Sequence, residues 1–394
     1  MGSVTLRVGF FTEIYRPVVN GVVTSVDTLA EGLRSRGHEV YCFAPSMPGG
    51  RESDDAVFRL PSLPLPAATP YRLTLPLVGR RQVNNVIKRL ALIHVHSLFV
   101  TGWAGLRYAR RYGMPIVYTY HTQLEAYAHY VPFEPNATRF AAGQLTRTFG
   151  NLVDAVVVPT PAIARHLREL GVEARIAVVP TGIDVDRFAA GRRDERLRRR
   201  LGVPSDGRLV LFVSRLAREK NVDVLLQALS DANDPSLVLV IAGDGPHREE
   251  LERLAIELRI AERVVFLGVV ARDDLPDLYA SADAFVFPST TETQGLVQAE
   301  ALAAGAFVVA ADTQPNRDVL GDAARIVDPD RAAFAQALRE IPAIPDANLM
   351  RRAKSTAQRF SVARQVDAML ELYESLLEPT RHPDLDASNV RSVS

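Results

Sequence analysis

Phe287-Pro288-Ser289-Thr290-Thr291-Glu292-Thr293-Gln294-Gly295-Leu296-Val297-Gln298-Ala299-Glu300-Ala301-Leu302-Ala303 is the stretch around which the rest of the chain is organised. It reads as a strand end, a short polar loop with one glycine, and an Ala- and Leu-rich helix that opens at Gly295. Two carboxylates bracket the turn, Glu292 in the loop and Glu300 inside the helix. The unpaired amides of a helix N-terminus favour an anionic or oxygen-rich ligand, and Glu300 can reach one from the helix side. The same pattern also serves an ordinary βα junction with an acidic first turn, so context has to decide.

Upstream, the unit repeats. Leu209-Val210-Leu211-Phe212-Val213 predicts a buried strand, followed by helix Val222 to Leu229, strand Leu237 to Ala242, helix His247 to Leu258 and strand Val264 to Leu267. A short helix, Leu275 to Ala280, then leads to strand Ala284 to Phe287. Such alternation predicts a parallel, helix-covered sheet, whose ligands bind at the carboxyl ends of its strands. The loop Ser214-Arg215-Leu216-Ala217-Arg218-Glu219-Lys220-Asn221 puts Arg215 and Lys220 at that edge. Paired cations there would hold a diphosphate and stabilise it as a leaving group; each alone also reads as a solvated surface cation. Gly243-Asp244-Gly245-Pro246 is a tight turn that a structural role explains in full, with a nucleotide contact optional. Neither a Gly-x-x-x-x-Gly-Lys phosphate loop nor a Gly-x-Gly-x-x-Gly fingerprint occurs, which argues against ATP hydrolysis and hydride transfer.

The first half carries a second α/β series. Leu6 to Phe11 predicts a buried strand, and Val26, Leu29, Ala30 and Leu33 repeat at helical spacing up to Gly37. The loop between them, Thr12 to Val22, is longer than a connection needs, and Asn20-Gly21 before the helix either admits a phosphate or simply marks a turn. Further strands are predicted at Glu39 to Ala44, Leu92 to Val95, Pro115 to Tyr120 and Asp154 to Val158. A histidine at a strand's carboxyl end points into the expected cleft. His94 and His96 read first as satisfied structural groups, whereas His121, among Tyr118, Thr119, Tyr120, Thr122 and Gln123, is the better ligand-facing candidate. Pro45 to Pro76 is an irregular excursion leading into Tyr71 to Leu90, where five cations are interleaved with aliphatic residues. Val83, Val86, Ile87 and Leu90 share one helical face there, either a core-facing stripe or a surface for anionic lipid. No pair of His or carboxylate residues shows a zinc spacing, so no metal site is expected.

With 394 residues, 47% of them hydrophobic, the chain exceeds the roughly 250–300 residues at which single cores stop growing, so two domains are expected. The 46 basic and 46 acidic residues give no support to a nucleic-acid role. Cys42, the single cysteine, excludes an intrachain disulfide and a Cys-rich zinc site. Met1 to Thr5 run straight into the first strand without a signal-peptide pattern, and no apolar run reaches the ~18 residues of a membrane span. A cytoplasmic protein is expected, with peripheral membrane association open. The Pro/Gly break in Val178-Val179-Pro180-Thr181-Gly182-Ile183-Asp184 sets the expected domains at 1–182 and 183–360. Val362, Val366, Met369, Tyr373 and Leu376 then predict a terminal helix over 361–378, and 379–394 is a polar tail.

In combination, the Asn20-Gly21-Val22 loop, Pro180 to Asp184, Ser214-Arg215 with Glu219-Lys220, Gly243 to Pro246, and the Glu292/Glu300 pair resemble the retaining glycosyltransferases of the GT-B fold, of the family 4 type. The resemblance covers nearly the whole chain. It implies two facing Rossmann-like doubly wound domains with a deep cleft, a terminal helix crossing back to the first domain, and a nucleotide sugar held mainly by the second. Arg215 and Lys220 would neutralise the donor diphosphate, Glu300 would accept from ribose hydroxyls, and Glu292 would contact the donor sugar. Gln294, Gly295 and Leu296 would supply amides; Gly21, Gly182 and Gly243 would line the donor; His121 would sit beside the transferred sugar. Asn20 stands where the family often has a first glycine. Tyr118 to Thr122, Tyr127, Tyr130 and the Thr291 to Gly295 loop look most like the bacterial diacylglycerol glucosyltransferases. That subgroup implies UDP-glucose, an α-linked product, no essential metal, acceptor contacts from Tyr15, Tyr127 and Tyr130, and docking on an anionic inner membrane surface through Arg80, Arg81, Lys88 and Arg89. The rivals are GDP-mannose-dependent transfer to phosphatidylinositol or another acceptor, a sugar-nucleotide epimerase, and a non-catalytic nucleotide-sugar-binding module.

Overall fold

The computed structural model describes residues 5–18, 20–47, 54–64, 72–75, 81–126, 134–342 and 346–378. The first domain opens with β1 (Arg7–Phe11), α1 (Gly21–Ser35), β2 (Glu39–Pro45) and β3 (Val57–Leu60), then a small hairpin of β4 (Ser62–Pro64) and β5 (Arg72–Thr74). It continues through α2 (Arg81–Ile87), β6 (Leu92–Val95), α3 (Val100–Tyr112), β7 (Ile116–Thr119), α4 (Pro135–Gly150), β8 (Ala155–Val158), α5 (Pro161–Glu169) and β9 (Arg175–Val178). Seven of these strands form a parallel sheet in the order β3-β2-β1-β6-β7-β8-β9. Val8, Phe10, Leu92 and Val117 turn to one face and Phe11, Ile93, Val95 and Tyr118 to the other; each face has its own buried cluster, the two-sided burial a helix-covered parallel sheet demands.

The second domain runs through α6 (Val185–Ala189), α7 (Glu195–Arg200), β10 (Arg208–Val213), α8 (Val222–Ala232), β11 (Leu237–Ala242), α9 (Arg248–Glu257) and β12 (Val264–Gly268). Then follow α10 (Leu275–Ser281), β13 (Ala284–Phe287), α11 (Leu296–Ala304), β14 (Val308–Ala311), α12 (Gln314–Leu320), β15 (Arg325–Val327), α13 (Arg331–Arg339) and α14 (Ala347–Ala357). Its parallel sheet has the order β12-β11-β10-β13-β14-β15. Both sheets therefore reverse direction of winding once, between β1 and β6 and between β10 and β13. In doubly wound sheets that reversal opens a crevice at the carboxyl ends of the two central strands.

Packing places the crossover between the domains. Val179 belongs to the first core and Ile183 to the second. Ile183 N–H also donates to Phe360 O at 2.7 Å, so the outgoing and returning chain segments lie side by side. Beyond Phe360 the chain goes back: α15 (Val362–Leu377) buries Val366, Met369, Leu372 and Tyr373 in the first domain's core against α1. A Cβ at Gly32 would stand 2.5 Å from a Val366 methyl, so a side chain there would push the two helices apart.

Candidate active site

The loops after β10 and β13, at the second sheet's reversal, are knitted together. Lys220 Nζ and Glu292 Oε1 form an ion pair in which both side chains are largely buried. The same Glu292 oxygen accepts from Ser289 Oγ at 2.9 Å, and Ser289 itself is fully buried. Asn221, held in the left-handed region, donates from its amide to Pro288 O at 3.1 Å. Arg215, half-exposed, is paired at 2.7 Å with the buried carboxylate of Glu219. A buried charge that lacks a partner is costly, so these contacts fix each cation in direction as well as position. The Gly243–Pro246 turn braces this loop from behind: Leu216 N–H donates to Asp244 O at 3.0 Å, and a Cβ at Gly243 would meet Ser214 O at 1.8 Å.

The helix that follows β13 begins at Gly295, whose φ of +76° belongs to the left-handed region and suits glycine. No side chain caps α11, so its first amides are open to an oxygen acceptor. Deeper in α11, Glu300 is buried and its Oε2 accepts from Tyr279 OH at 3.0 Å. Burial raises the Glu300 carboxyl above the usual range, opposed by the Tyr279 hydrogen bond and by Arg272 and Arg187.

Three contacts carry this loop onto the first domain. The Gln294 side chain makes a two-point pairing with the Thr181 backbone, accepting from its N–H at 2.8 Å and donating to its carbonyl at 3.0 Å. Thr293 Oγ1 donates to His121 O at 3.1 Å, and Thr160 Oγ1 donates to Thr293 O at 3.1 Å. His121 thus stands directly across the cleft from the Glu292 loop. Its ring is neutral at physiological pH, because burial pushes it down to about 4.

Residues 19–187 match Glycosyltransferase Family 4, and residues 193–360 match Glycosyl transferases group 1. The alpha-monoglucosyldiacylglycerol synthase of Acholeplasma laidlawii is 33% identical over 77% of this chain and 80% of its own length. The chain belongs to glycosyltransferase family 4. A second relative, the GDP-mannose-dependent alpha-mannosyltransferase of Mycobacterium tuberculosis, is 34% identical over 80% of this chain and 81% of its own. Among solved structures, the sucrose-phosphate synthase of Thermosynechococcus elongatus superposes with a TM-score of 0.75 at 23% identity, covering 94% of this chain and 99% of that one. HepE of Anabaena in complex with UDP gives 0.74 at 21%, covering 94% and 100%. The two facing doubly wound domains are the GT-B fold, and the enzyme is a hexosyltransferase.

In this glycosyltransferase, Arg215, Lys220, Glu292, Gln294, Gly295, Leu296 and Glu300 come together on the second domain's edge, with His121 opposite. Asn20 caps α1, its Oδ1 accepting from Val23 N–H at 2.9 Å, and among the described residues a Cβ at Gly21 would meet no atom of another part of the chain within 4 Å, so their packing does not ask for glycine at 21. Gly182 lies in the crossover instead, its N–H bonded to Gln365 Oε1 at 3.0 Å and its Cα against Val362. Tyr15 is only 3% exposed, its ring flanked by the Arg16 and Arg59 guanidiniums at 5.8 and 5.7 Å, and with Glu13, Val18 and Arg72 it lines a small pocket on the first domain. The apolar stripe of α2, Val83 and Ile87, continued by Leu90, is turned into the core, which leaves Arg81, Lys88 and Arg89 exposed without an inserting face. Tyr127, Tyr130 and Arg80 lie outside the described residues. Among the described residues no three His, Cys, Asp or Glu side chains are grouped as a metal ion would require.

Sequence reasoning missed Ser289, Tyr279 and Thr181 as site-building residues. It also missed an apolar tip on the first domain. Leu63 and Leu73, cross-strand partners in the β4–β5 hairpin, are 53% and 45% exposed, and Phe99 and Trp103 at the start of α3 are 48% and 40% exposed. Glu13 binds the two parts together, accepting from Thr74 N–H at 3.2 Å and Thr101 N–H at 2.9 Å. Only the polar contacts of a fold at this detail reveal that pairing; the alternation of Leu with Pro in the sequence reads as irregular chain.

Proposed function

We propose that this enzyme transfers glucose from UDP-glucose to a diacylglycerol-type lipid at a membrane surface, forming an α-linkage with retained configuration and without an essential metal. The observation that carries the reading is the match to alpha-monoglucosyldiacylglycerol synthases from two organisms, at 33% and 34% identity over 77% of the chain. The site supports it chemically. The bond from the anomeric carbon to the diphosphate oxygen breaks while the acceptor oxygen bonds to the same carbon on the face the diphosphate leaves. The acceptor's proton passes to the departing phosphate. Arg215, Lys220 and the opening amides of α11 receive the charge that develops there, from positions already fixed before reaction. Glu292, besides orienting Lys220, faces the sugar. Glu300, kept in place by Tyr279, holds the ribose.

The acceptor is brought by the first domain. No described helix is long and apolar enough to cross a membrane, so contact with lipid falls to surface groups. The exposed Leu63, Leu73, Phe99 and Trp103 supply the apolar part of that contact, and Arg81, Lys88 and Arg89 the electrostatic part. A second reading, mannosyl transfer from GDP-mannose, is favoured by one observation: the phosphatidylinositol dimannoside mannosyltransferase of Mycobacterium tuberculosis is 29% identical over 96% of this chain and 99% of its own length. Radiolabelled UDP-glucose and GDP-mannose, offered in parallel with and without diacylglycerol liposomes, separate the two. Label in a chloroform-soluble product from UDP-glucose only, and only with liposomes, is expected. Lipid labelled from GDP-mannose alone transfers the assignment to the second reading, and donor converted without any acceptor overturns both.

A further inference from the structure

His94 and His96 leave β6 in the same direction, yet they are partnered differently. Each ring nitrogen of His94 is engaged: Nδ1 lies 2.6 Å from Tyr373 OH and Nε2 lies 2.6 Å from Thr119 Oγ1. That histidine is fully used in tying α15 to the sheet. Among the described residues the His96 ring has a single hydrogen-bond partner, His121 Nε2, at 3.0 Å from its Nδ1. Its Nε2 is buried and has no partner among the described residues. The His96 and His121 rings lie nearly parallel, 26° apart with centroids 5.3 Å apart, so the contact fixes the His121 ring plane as well as one of its nitrogens.

We propose that His96 is a positioning residue for transfer: it donates from Nδ1 to His121 Nε2, and so leaves the His121 proton on Nδ1, the nitrogen open to the sugar. The reasoning is one of proton count. Burial, with His94 and His121 adding to it, drives His96 well below the ordinary histidine range, and burial does the same to His121. Both rings are thus neutral at physiological pH, and of the two facing nitrogens one carries the proton and the other the lone pair. Were the His96 proton on Nε2, a buried N–H would have no acceptor, the rarer of the two unpaired arrangements in folded proteins. With the proton on Nδ1, the unpartnered atom is a bare lone pair on a ring whose centroid stands 4.7 and 4.2 Å from those of Phe10 and His94. His121 Nδ1 has no protein partner among the described residues, while its main chain is anchored to Thr293 of the donor loop. The imidazole then presents an N–H donor to an oxygen of the transferred sugar, and His96 acts only through it. The inference rests on the chain being a sugar transferase, whichever sugar and acceptor it uses.

Long-range nitrogen–carbon-bound-proton NMR on the full chain with nitrogen-labelled histidine tests it directly, with no substrate present. His121 is expected as the Nδ1–H tautomer in the wild type, as a mixture of tautomers in His96→Phe, and again as Nδ1–H in His96→Asn, whose amide nitrogen replaces the Nδ1 donor. A wild-type His121 protonated on Nε2 overturns the proposal, as does a tautomer unchanged in His96→Phe; should that variant not fold, the wild-type and His96→Asn spectra decide. Kinetics give the second arm: kcat falls about tenfold to a hundredfold in His96→Phe, as expected for a misdirected contact, with donor KM nearly unchanged, and returns in His96→Asn. Equal losses in both variants, or a loss carried by KM alone, assign His96 to packing and overturn the role. A failure to find turnover with either donor bears on the proposed function, whereas the tautomer spectrum bears on His96.

Discussion

The two walls of the cleft are built on opposite principles. On the second domain the site is a closed network of charge: Lys220 with Glu292, Arg215 with Glu219, and a buried serine between the loops. On the first domain it is neutral: stacked histidines stripped of charge by burial, and beyond them exposed Leu, Phe and Trp. The division matches what the proposed function asks of each wall. A diphosphate that gains charge as it leaves calls for fixed cations, while a hydroxyl on an apolar acceptor calls for uncharged donors and a greasy approach. It also separates two kinds of cost, since the charged wall must carry buried ions that chemistry needs and stability does not.

That last point is where the comparison breaks most easily. Lys220→Ala is expected to lower kcat/KM by about 10²–10³-fold, the usual loss for one donor to a developing oxyanion. It also strands Glu292, destabilising the fold by about 3–5 kcal/mol. Replacing both members, Lys220→Met with Glu292→Met, is expected to restore most of the stability and none of the activity in urea unfolding and transfer assays. If activity returned with stability, the pair would be structural. The neutral wall makes the next largest prediction. His121 is held near 4 against about 6.5 unfolded, and His94 and His96 shift the same way. The unfolded chain therefore binds protons that these rings refuse. The His121 contribution is present in full above about pH 6.5 and is lost as pH falls toward 4, on the order of 3 kcal/mol, and His94 and His96 act in the same direction. Thermal unfolding at pH 7 and pH 5 checks this, and an unchanged midpoint would show that the rings take up protons as readily folded as unfolded. The smallest effect concerns the outer edge: serine at Leu63, Leu73, Phe99 and Trp103 should cut co-sedimentation with anionic vesicles about tenfold. Neutralising Arg80, Arg81, Lys88 and Arg89 should remove only the salt-sensitive remainder. Binding unchanged by the first set would move the lipid contact elsewhere.

The charged wall was more legible than the neutral one, for a physical reason. Strands such as Leu209–Val213 and Leu237–Ala242 announce themselves by unbroken apolar runs, and Arg215, Lys220 and Glu292 sit in loops directly after such strands, so local pattern suffices to place them. What local pattern does not hold is the partner. Gln294 reads as a loop residue with a useful amide, yet its side chain is spent on Thr181, 113 residues away. Tyr15 is expected to contact the acceptor, and no local pattern shows that its ring is packed beneath Arg59. On α2 the amphipathic stripe fits a core or a bilayer equally well, and only the neighbouring β-sheet decides between them. Strands Val308–Ala311 and Arg325–Val327 complete the second sheet from stretches too short or too small in side chain to signal it.

The return of α15 to the first domain gives the enzyme an order of assembly. A chain emerging from the ribosome presents its first sheet early, but Val366, Met369 and Tyr373, which close that sheet's core, the last also holding His94, are translated only after the whole second domain. The first domain thus stays unfinished until the second domain is made. An interrupted chain lacking its last helix would be left with an open core, a ready substrate for proteolysis rather than a half-active transferase.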